Sequence, residues 1–433
     1  MKKSIRSINF LFFWLLTLLL GAQDNQRFGR WVDEQHFTIQ RGEELFLVDA
    51  RNGREKSYEA PPGAKALLPE GVRATSRNSA SSPDGSVLVL QRDRDLFLAS
   101  EAEGAYRQLT ANPAVEQNPT LSPDSRYVAY TRNGDLFVLE LATGLERQLT
   151  HDGSEVVYNG YASWVYYEEV LGRRSRYKAF YWSPDSKRIA FLRFDDTPVP
   201  TFPIYHHEAE DNTHGYLEVT HYPKAGDPLP QVELGIAAVE RGELVWIDTD
   251  DVLDYTAWID WTPDADRLFF QQMNRDQDTL RLYAAEPATG TATLLYEETQ
   301  PTWVAFFEDI HFLPDGRGFL LRSNRDGWYN LYHHAMDGTL VRQLTDFDWR
   351  VTEIAAVDAA NDRILFEGTG GDGTQVHLFS VGLDGEDLRQ LTQEEGYHTI
   401  RVAPGGGYFY DRHSSYDLPW RGAVYEVPSG ALV

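Results

Sequence analysis

The chain has 433 residues, and its 66 acidic against 40 basic side chains give a formal net charge of −26. A protein this acidic repels polyanions, which argues against nucleic acid as a partner. No cysteine is present, so disulfides, thiolate metal sites, a cysteine nucleophile and a lipid-modified cysteine are excluded.

The first 22 residues have the pattern of a secretory signal peptide. Basic residues at positions 2, 3 and 6 precede the apolar run FLFFWLLTLLL, and small residues follow at positions 21 and 22. The run is short, because a membrane span needs about 20 apolar residues. The sequence therefore predicts export to a periplasm or the cell exterior, with no stable membrane span after cleavage. An uncleaved anchor is the alternative.

A short turn phrase recurs along the rest of the chain and reveals an internal repeat. Pro-Asp followed by Gly or Ser is turn chemistry, because proline presets φ and the aspartate bonds to nearby backbone. A second phrase, Arg-Gln-Leu-Thr, recurs at 107–110, 147–150, 342–345 and 389–392. Strong and weak copies of the first phrase begin at Ser82, Ser122, Ser183, Thr262, Leu313, Val357 and Ala403.

The unit between these phrases has the pattern of paired strands. Within 121–150, RYVAYTR alternates like a half-buried strand, Asn133-Gly134 is a hairpin turn, and DLFVLEL is the next strand. Four short strands in a unit of roughly 40–50 residues are typical of a β-propeller. We therefore predict an all-β, eight-bladed β-propeller with four-stranded antiparallel blades over residues 23–433, with one degenerate blade at 30–65. A pair of β-sandwiches is the alternative, although sandwiches show no fixed period.

Two of the repeat intervals are long enough to hold insertions. The unit that begins at Ser183 contains the proline-rich segment 197–235, which would not fit inside a central strand. We predict that 197–235 forms an arm projecting from the propeller. The unit before it contains WVYYEEVL at 164–171, which lacks strand alternation and predicts a short inserted helix closed by Gly172.

Glu168 and Glu169 lie in this predicted helix and place two like charges side by side. The ammonium at the amino terminus of a peptide carries three donors, and a charge-assisted hydrogen bond contributes roughly 1.5–3 kcal/mol. Two carboxylates that receive such a cation would discriminate against a blocked amine, which leaves them unsatisfied. The alternative is an exposed pair on a polar helix face.

Three segments resemble the propeller of dipeptidyl-peptidase IV-type serine peptidases, in the prolyl oligopeptidase family. They are YNGYASWVYYEEVLGRRSRYKAFYWSPDSKRIAFLRFDD at 158–196, TPVPTFPI with YPKAGDPLPQVELG within 197–235, and RSNRDGWYNLYHHAMDGTLVRQLT at 322–345. The resemblance covers roughly residues 30–430. It implies an N-terminal propeller that works with an α/β-hydrolase domain, and a homodimer formed partly through the 197–235 arm.

The resemblance also implies a role for the paired glutamates. In that family two glutamates bind the N-terminal amine of the substrate and limit cleavage to an N-terminal dipeptide, and they correspond to Glu168 and Glu169. Two neighbours depart from the family pattern. Ser163 stands where an aspartate is usual, and Tyr167 where a third glutamate is usual.

Two further substrate contacts are carried over by position. A family arginine holds the substrate carbonyl, and the candidates here are Arg92 and Arg94, with a charged strand edge as the alternative for either. A family phenylalanine near the second substrate position corresponds to Phe307. Glu308 replaces the arginine that usually follows it.

No catalytic residue is predicted in the chain. The serine of this clan lies in Gly-x-Ser-x-Gly, which the sequence lacks, and no α/β alternation is present. We expect the amine-anchoring, substrate-gating propeller of an exported exopeptidase that releases dipeptides, often X-Pro, with its α/β-hydrolase domain absent from this chain. Tripeptide release is one alternative. A stand-alone propeller that binds peptides or proteins without catalysis is another.

No metal site or cofactor is predicted either. The pairs His206-His207 and His333-His334 lack metal-ligand spacing, since neighbouring residues of a strand point to opposite faces. The acidic run at 248–254 lacks the glycine and the terminal glutamate of a calcium loop.

Overall fold

The computed structural model describes residues 26–209, 212–250, 252–427 and 429–433. The predicted signal peptide at 1–22 lies outside the described residues. Within the described ranges, no helix is long and apolar enough to cross a membrane. The regular structure there is almost entirely antiparallel β-sheet, so the predicted all-β class is confirmed.

The repeated turn phrase forms the same hydrogen-bonded turn in four of its copies. The first hydroxyl donates to the aspartate two residues later at 2.6 Å, and it accepts the backbone N–H five residues later. Side chains that bond locally in this way fix the turn between two strands. The pairs are Ser82 with Asp84, Ser122 with Asp124, Ser183 with Asp185, and Thr262 with Asp264.

The Gln-Leu-Thr phrase is structural too. In each copy the threonine hydroxyl accepts the N–H of a leucine on the neighbouring strand at 2.8–3.0 Å. Because a buried N–H left without a partner is costly, each threonine stabilises the start of the strand that carries its leucine partner. The pairs are Thr110 with Leu96, Thr150 with Leu136, Thr345 with Leu331, and Thr392 with Leu378.

The described strands form eight sheets and one separate hairpin, and we number the sheets 1 to 8 in chain order. They divide into two compact units. Unit A takes in the described residues up to Pro61 with Leu313–Ala335 and Leu340–Val433, and carries sheets 1, 7 and 8 and the main strands of sheet 6. Unit B takes in Pro62–Phe312 with Met336–Thr339, and carries sheets 2 to 5 and the hairpin.

The strands of unit B follow the predicted repeat. Sheet 2 contains Ser79–Ser81, Val87–Arg92, Asp95–Ser100 and Ala105–Gln108. Sheet 3 contains Gln117–Leu121, Tyr127–Arg132, Asp135–Glu140 and Glu146–Gln148. Sheet 4 contains Val157–Asn159, Phe180–Trp182, Arg188–Asp195, Gln231–Ala238 and Leu244–Trp246. Sheet 5 contains Tyr255–Trp261, Leu268–Met273, Thr279–Ala285 and Ala292–Thr299.

The strands of the other four sheets follow the same plan. Sheet 1 contains Gln26–Trp31, His36–Arg41, Glu44–Asp49 and Arg54–Ser57. Sheet 6 contains His311–Phe312, Phe319–Ser323, Asn330–His334 and Leu340–Gln343. Sheet 7 contains Val351–Asp358, Arg363–Gly368, His377–Gly382 and Arg389–Gln390. Sheet 8 has three described strands, Tyr397–Val402, Tyr408–Ser414 and Arg421–Glu426.

Within each unit the core lies between consecutive sheets. In unit B, Leu98 of sheet 2 and Tyr130 of sheet 3 are buried in one apolar cluster, and Phe194 of sheet 4 and Phe270 of sheet 5 are buried in another. In unit A, one such cluster joins sheet 7 to sheet 8. Face-to-face packing of small antiparallel sheets is the packing of propeller blades, and the predicted eight-bladed propeller is confirmed.

The first and last sheets of the chain pack on each other inside unit A. The Phe28 ring stacks on Tyr410 at 4.0 Å between centroids, and Trp31 Nε1 donates to the Arg401 carbonyl at 2.9 Å. This packing explains why a sheet without the opening turn phrase is retained, because it covers a sheet face that would otherwise meet water. The predicted blade at 30–65 corresponds to sheet 1.

The predicted arm is present, but its end was placed wrongly. Thr201–His206 and Tyr216–His221 pair as a separate two-stranded hairpin. Residues from Gln231 onward belong instead to sheet 4, where Gln231–Ala238 pairs with Arg188–Asp195. The apolar side chains of Leu234 and Ile236 are buried there, and this burial stabilises the segment as a strand of sheet 4 instead of as part of the arm.

Candidate functional site

The segment carrying the paired glutamates is an insertion in the first strand of sheet 4. Val157–Asn159 and Phe180–Trp182 pair with successive halves of one partner strand, Arg188–Asp195. Between these two strands the chain leaves sheet 4 and then returns to it. The Ala179 N–H closes the base of this insertion by donating to the Gly160 carbonyl at 2.9 Å. Sheet 4 therefore has five strands, because residues 160–179 split what is a single strand in the other blades.

The predicted short helix is confirmed as a single wide turn. A π-helical turn spans Tyr166–Val170, and the Leu171 N–H donates to the Tyr166 carbonyl five residues back at 2.7 Å. Gly172 follows with φ +72°, a conformation that suits glycine at the end of a helix. Such π turns are rare and often occur at functional sites. We call residues 164–172 the glutamate turn.

Tyr166 fixes the glutamate turn to the core. Its side chain is fully buried, and its ring packs edge-on against Phe194 at 4.8 Å between centroids. Its hydroxyl accepts the Thr256 N–H from sheet 5 at 3.1 Å. One side chain thus holds the turn against two neighbouring sheets of unit B.

A stack of tyrosine rings supports the turn from another direction. Tyr167 stacks on Tyr177 at 3.8 Å between centroids, and Tyr177 stacks on Tyr161 at 4.8 Å. Burial is the main cause that raises the pKa of Tyr161 to about 12, so this phenol stays neutral near pH 7. The three stacked rings therefore form one aromatic wall that begins at Tyr167, the residue before Glu168.

The return path of the insertion has an unusual backbone. Arg176 and Tyr177 adopt φ +54° and +66°, a left-handed conformation that non-glycine residues rarely take. The Arg176 guanidinium donates to the Ser76 carbonyl on the loop before sheet 2. A strained segment held by a long-range hydrogen bond is typical of sites where a side chain must be aimed.

The two glutamates occupy different environments. The Glu168 side chain is 15% exposed, and Arg173 Nε lies 2.8 Å from each of its carboxylate oxygens. Glu169 is exposed to solvent. The pairing with Glu168 raises the pKa of the Arg173 guanidinium, so the arginine remains charged. The turn therefore presents one carboxylate that already holds a cation and a second carboxylate beside it.

The two predicted arginines differ in their contacts. Arg92 ends a strand of sheet 2, is exposed, and lies 3.5 Å from the Asp93 carboxylate. It lines a cleft with Arg73 and Asn78, on the same loop that Arg176 of the insertion contacts. The Arg94 guanidinium instead donates to the Pro113 carbonyl at 3.0 Å. A substrate contact by either arginine stays a prediction.

Phe307 is placed differently from the other predicted contacts. Its side chain is 4% exposed and packs near Tyr296. Its backbone N–H and carbonyl both bond to the Gln271 side chain at 2.8 Å. The ring is part of the core in this structure, and its contact with a substrate stays a prediction.

The arm joins the insertion at its base. Trp164, at the start of the glutamate turn, packs on Tyr222 with 4.2 Å between ring centroids. Tyr222 in turn packs on Phe202 of the hairpin. The outer hairpin carries exposed apolar side chains, and His206 pairs with Glu218 across its strands at 2.6 Å. The turn and the arm are therefore neighbours in one unit.

A buried aspartate lies beneath the turn. Asp196 is almost fully buried, and burial raises its pKa to about 6, although Ser163 and His221 both favour its charged form. Ser163 stands where the resembled family usually has an aspartate, and the buried Asp196 carboxyl lies beside it. The neighbouring Asp195 accepts hydrogen bonds from Thr197, which lowers its pKa.

This buried acid predicts a pH effect on stability. The folded protein holds the Asp196 proton more tightly than the unfolded chain, so its contribution to stability is complete below about pH 4 and is lost as the pH rises through 6. The loss amounts to about 3 kcal/mol. We expect Asp196→Asn to gain stability over the wild type across that range in urea unfolding. Asp195→Asn should change in the opposite sense, and identical pH profiles for wild type and Asp196→Asn would contradict the assignment.

Three features of the site escaped the sequence analysis. The Arg173 partner of Glu168, the tyrosine stack and the link from Arg176 to Ser76 were not predicted. The run GRRSR at 172–176 was a usable signal for the first, because basic residues follow the acidic pair within one loop. The stack and the link depend on how the insertion folds back.

Comparisons with known proteins agree with this architecture. Residues 97–420 match the family model described as dipeptidyl peptidase IV (DPP IV) N-terminal region. A probable dipeptidyl-aminopeptidase B of Emericella nidulans is 29% identical over 309 residues, covering 63% of this chain and 33% of that protein. The relative of the same name from Talaromyces marneffei is also 29% identical over 309 residues, covering 64% of this chain and 34% of that protein.

Solved structures show the same fold. The crystal structure of Porphyromonas gingivalis dipeptidyl peptidase 4 has a TM-score of 0.79 at 20% identity, and the match covers 99% of this chain and 62% of that one. A putative dipeptidyl aminopeptidase IV from Bacteroides ovatus has a TM-score of 0.71 at 22% identity, covering 95% and 60%. The chain spans about a third of the length of the curated relatives it matches.

Proposed function

The chain belongs to the dipeptidyl peptidase IV N-terminal region family, and from this premise we propose that it gates substrates and binds their amino termini in an exported serine exopeptidase. The enzyme would release N-terminal dipeptides, often X-Pro, from peptides. An α/β-hydrolase domain of the whole protein would supply the serine, aspartate and histidine of the reaction. The observation that carries this proposal is the glutamate turn, with its two adjacent carboxylates.

The chemistry of the turn fits a protonated amine. Both oxygens of Glu168 already contact a cation, the Arg173 guanidinium, which supports a carboxylate aimed at positive charge. An ammonium with three donors can bond to Glu168 and Glu169 together, and these charge-assisted bonds are stronger than neutral ones. The tyrosine stack begins at Tyr167, the residue before Glu168, and an aromatic neighbour that lowers the local dielectric would strengthen these bonds further. A peptide with a blocked amine would offer no cation to either carboxylate, so Glu168 would keep only Arg173 and Glu169 would gain no partner.

Binding of the amino terminus at a fixed site would also determine which peptide bond is cleaved. If the amino terminus is bound at the glutamate turn, the bond presented to a catalytic serine lies a fixed number of residues away. Arg92 is our candidate for holding a substrate carbonyl, since it lines the cleft beside the loop that Arg176 contacts. Arg94 is the weaker candidate because its guanidinium is engaged with Pro113.

We also propose that the whole protein forms a homodimer through the arm. The hairpin exposes a group of large apolar side chains, and a second copy of the chain could cover them. Their exposed fractions exceed a third of each side chain. They are Phe202, Tyr205, Tyr216, Leu217 and Val219.

The test of the proposed function is hydrolysis by the whole protein. Ala-Pro-p-nitroanilide should release p-nitroaniline, and its N-acetylated form should react far more slowly because the carboxylates cannot bind an amide. Equal rates for the two substrates would contradict amine anchoring. Rapid cleavage of long peptides at internal bonds would contradict the exopeptidase assignment.

Arg173 gives a sharper prediction about the same site. Because the Arg173 guanidinium is bound to the Glu168 carboxylate, it competes with the amine of a peptide for that carboxylate. The variant Arg173→Gln should therefore bind a free dipeptide about two- to fivefold more tightly than the wild type. Isothermal titration calorimetry measures this directly. Arg174→Gln is the control, since Arg174 is the neighbouring exposed arginine and its loss changes the net charge equally. Weaker binding by Arg173→Gln would show that this arginine supports the ligand instead of competing with it.

A further inference from the structure

A second cluster of ligand-type side chains lies far along the chain, in sheet 8. The strands Tyr397–Val402 and Tyr408–Ser414 pair so that His398 lies directly opposite His413. Asp411 precedes His413 by two residues, and the two-residue period of a strand puts both side chains on the same face. Two histidines and one carboxylate therefore converge on one face of the sheet.

The convergence is close and buried. His398 Nδ1 lies 2.8 Å from one Asp411 oxygen, and His413 Nδ1 lies 3.2 Å from the other. One ligand atom from each of the three residues falls within 4.8 Å of the others. All three side chains are more than nine-tenths buried. The ligand atoms of a tetrahedral zinc ion are roughly 3.3 Å apart, so a small outward shift of the side chains would admit one.

The hydrogen bonds around the cluster leave ligand atoms directed inward. His398 Nε2 lies 2.8 Å from the Glu394 carbonyl, so a proton on that nitrogen leaves the Nδ1 lone pair toward Asp411. Metal-binding histidines usually donate their other N–H to a carbonyl in this way. His413 Nδ1 is buried and has no hydrogen-bond partner of good geometry among the described residues. A buried nitrogen without a partner is costly, and a metal ion would satisfy it.

We propose that His398, Asp411 and His413 form a zinc site that ties together the first two strands of sheet 8. Two imidazoles and a carboxylate are a ligand set that zinc takes, and the chain offers no thiolate for a softer ion. The Glu367 carboxylate of sheet 7 accepts a bond from the Ile400 N–H and interacts electrostatically with Asp411 and His398.

The proposal is tested by zinc binding to the purified chain without a histidine tag. After chelator treatment and dialysis, zinc titrated in the presence of excess Mg²⁺ should bind at about one ion per chain and raise the midpoint of thermal unfolding. Elemental analysis after gel filtration should find the same stoichiometry. Less than roughly one tenth of an ion per chain, with no thermal shift, would overturn the proposal, and this result requires no variant.

Variants locate the site. Asp411→Asn and His413→Gln keep roughly the size of the side chains and should each weaken zinc binding by more than about tenfold, since losing even an outer-shell partner of a ligand costs roughly 10- to 100-fold. His206→Gln removes an exposed histidine of the arm hairpin and should leave binding unchanged. Stoichiometric zinc retained in both sheet 8 variants would place the ion elsewhere and overturn the assignment. Because the cluster is remote in sequence from the glutamate turn, either result is independent of amine binding.

Discussion

Replacing Glu168 and Glu169 together with glutamine is expected to abolish measurable binding of a dipeptide with a free amino terminus. Glutamine keeps the size of the side chain but removes the charge that strengthens its bonds to an ammonium. Each charge-assisted hydrogen bond contributes roughly 1.5–3 kcal/mol, so losing both weakens binding by about 3–6 kcal/mol, which is at least a hundredfold. Calorimetric titration of the purified chain with Ala-Pro measures the loss.

A matched control separates this effect from the change in net charge. Glu43 and Glu44 form another adjacent acidic pair, exposed at the hairpin turn between two strands of sheet 1. The variant Glu43→Gln/Glu44→Gln removes the same two charges and should bind Ala-Pro like the wild type. If both double variants lose affinity equally, the overall acidity of the chain attracts the peptide and the glutamate turn has no special role.

Removing the Tyr166 side chain should both lower the stability of the protein and weaken its binding of an amino terminus. Tyr166→Ala deletes a fully buried ring that packs on Phe194, and a cavity of that size costs about 3–5 kcal/mol of unfolding free energy. The deletion also removes the acceptor of the Thr256 N–H and so releases the glutamate turn from sheet 5. Urea unfolding followed by tryptophan fluorescence should show the loss, and the variant should bind Ala-Pro more weakly than the wild type.

Tyr166→Phe distinguishes packing from the hydrogen bond. It keeps the ring and leaves only the buried Thr256 N–H unsatisfied, so the expected cost is about 1–3 kcal/mol. Its amine binding should stay close to that of the wild type, because the ring still positions the turn. Tyr166→Ala with wild-type stability would contradict the view that this side chain holds the insertion in place.

The propeller could be predicted because its local chemistry is repeated. Each Ser-Pro-Asp or Thr-Pro-Asp copy forms a turn from bonds within six residues, and Gln-Leu-Thr marks a strand start through one threonine hydroxyl. Such signals are visible in sequence because they need no distant partner. The end of the arm was misplaced for the opposite reason. Leu234 and Ile236 join sheet 4 only because a partner strand more than 40 residues earlier offers them a buried face, with Leu234 opposite Leu192 and Ile236 opposite Ala190.

The acidic pair of the candidate site could be predicted from the sequence, but the structure around the pair could not. The sequence places Glu168 and Glu169 together, yet the unequal exposure of the two carboxylates follows from the π turn and from Arg173 five residues later. The left-handed backbone at Arg176 and Tyr177 has no local signature, since neither residue is glycine. Phe307 was assigned by position alone, and its burial depends on a tertiary contact with Gln271.

The sheet 8 cluster was missed for a related reason. Asp411-Arg412-His413 is only a suggestive pattern on one strand, and the spacing to His398 gains meaning once the strand register is known. The histidines that stand out in the sequence are adjacent pairs such as His206-His207, and neighbours in a strand point to opposite faces. Cross-strand pairs are the arrangement that brings ligands together on a sheet, and they require the register.

The central claim is that the glutamate turn recognises a protonated amino terminus. Its most direct test is the ratio of dissociation constants of the purified chain for N-acetyl-Ala-Pro and for Ala-Pro at pH 7, measured by calorimetry. A ratio of roughly a hundred or more in favour of the free amine is the predicted result, since acetylation removes both the charge and two of the three donors. Equal dissociation constants for the two peptides would contradict the claim.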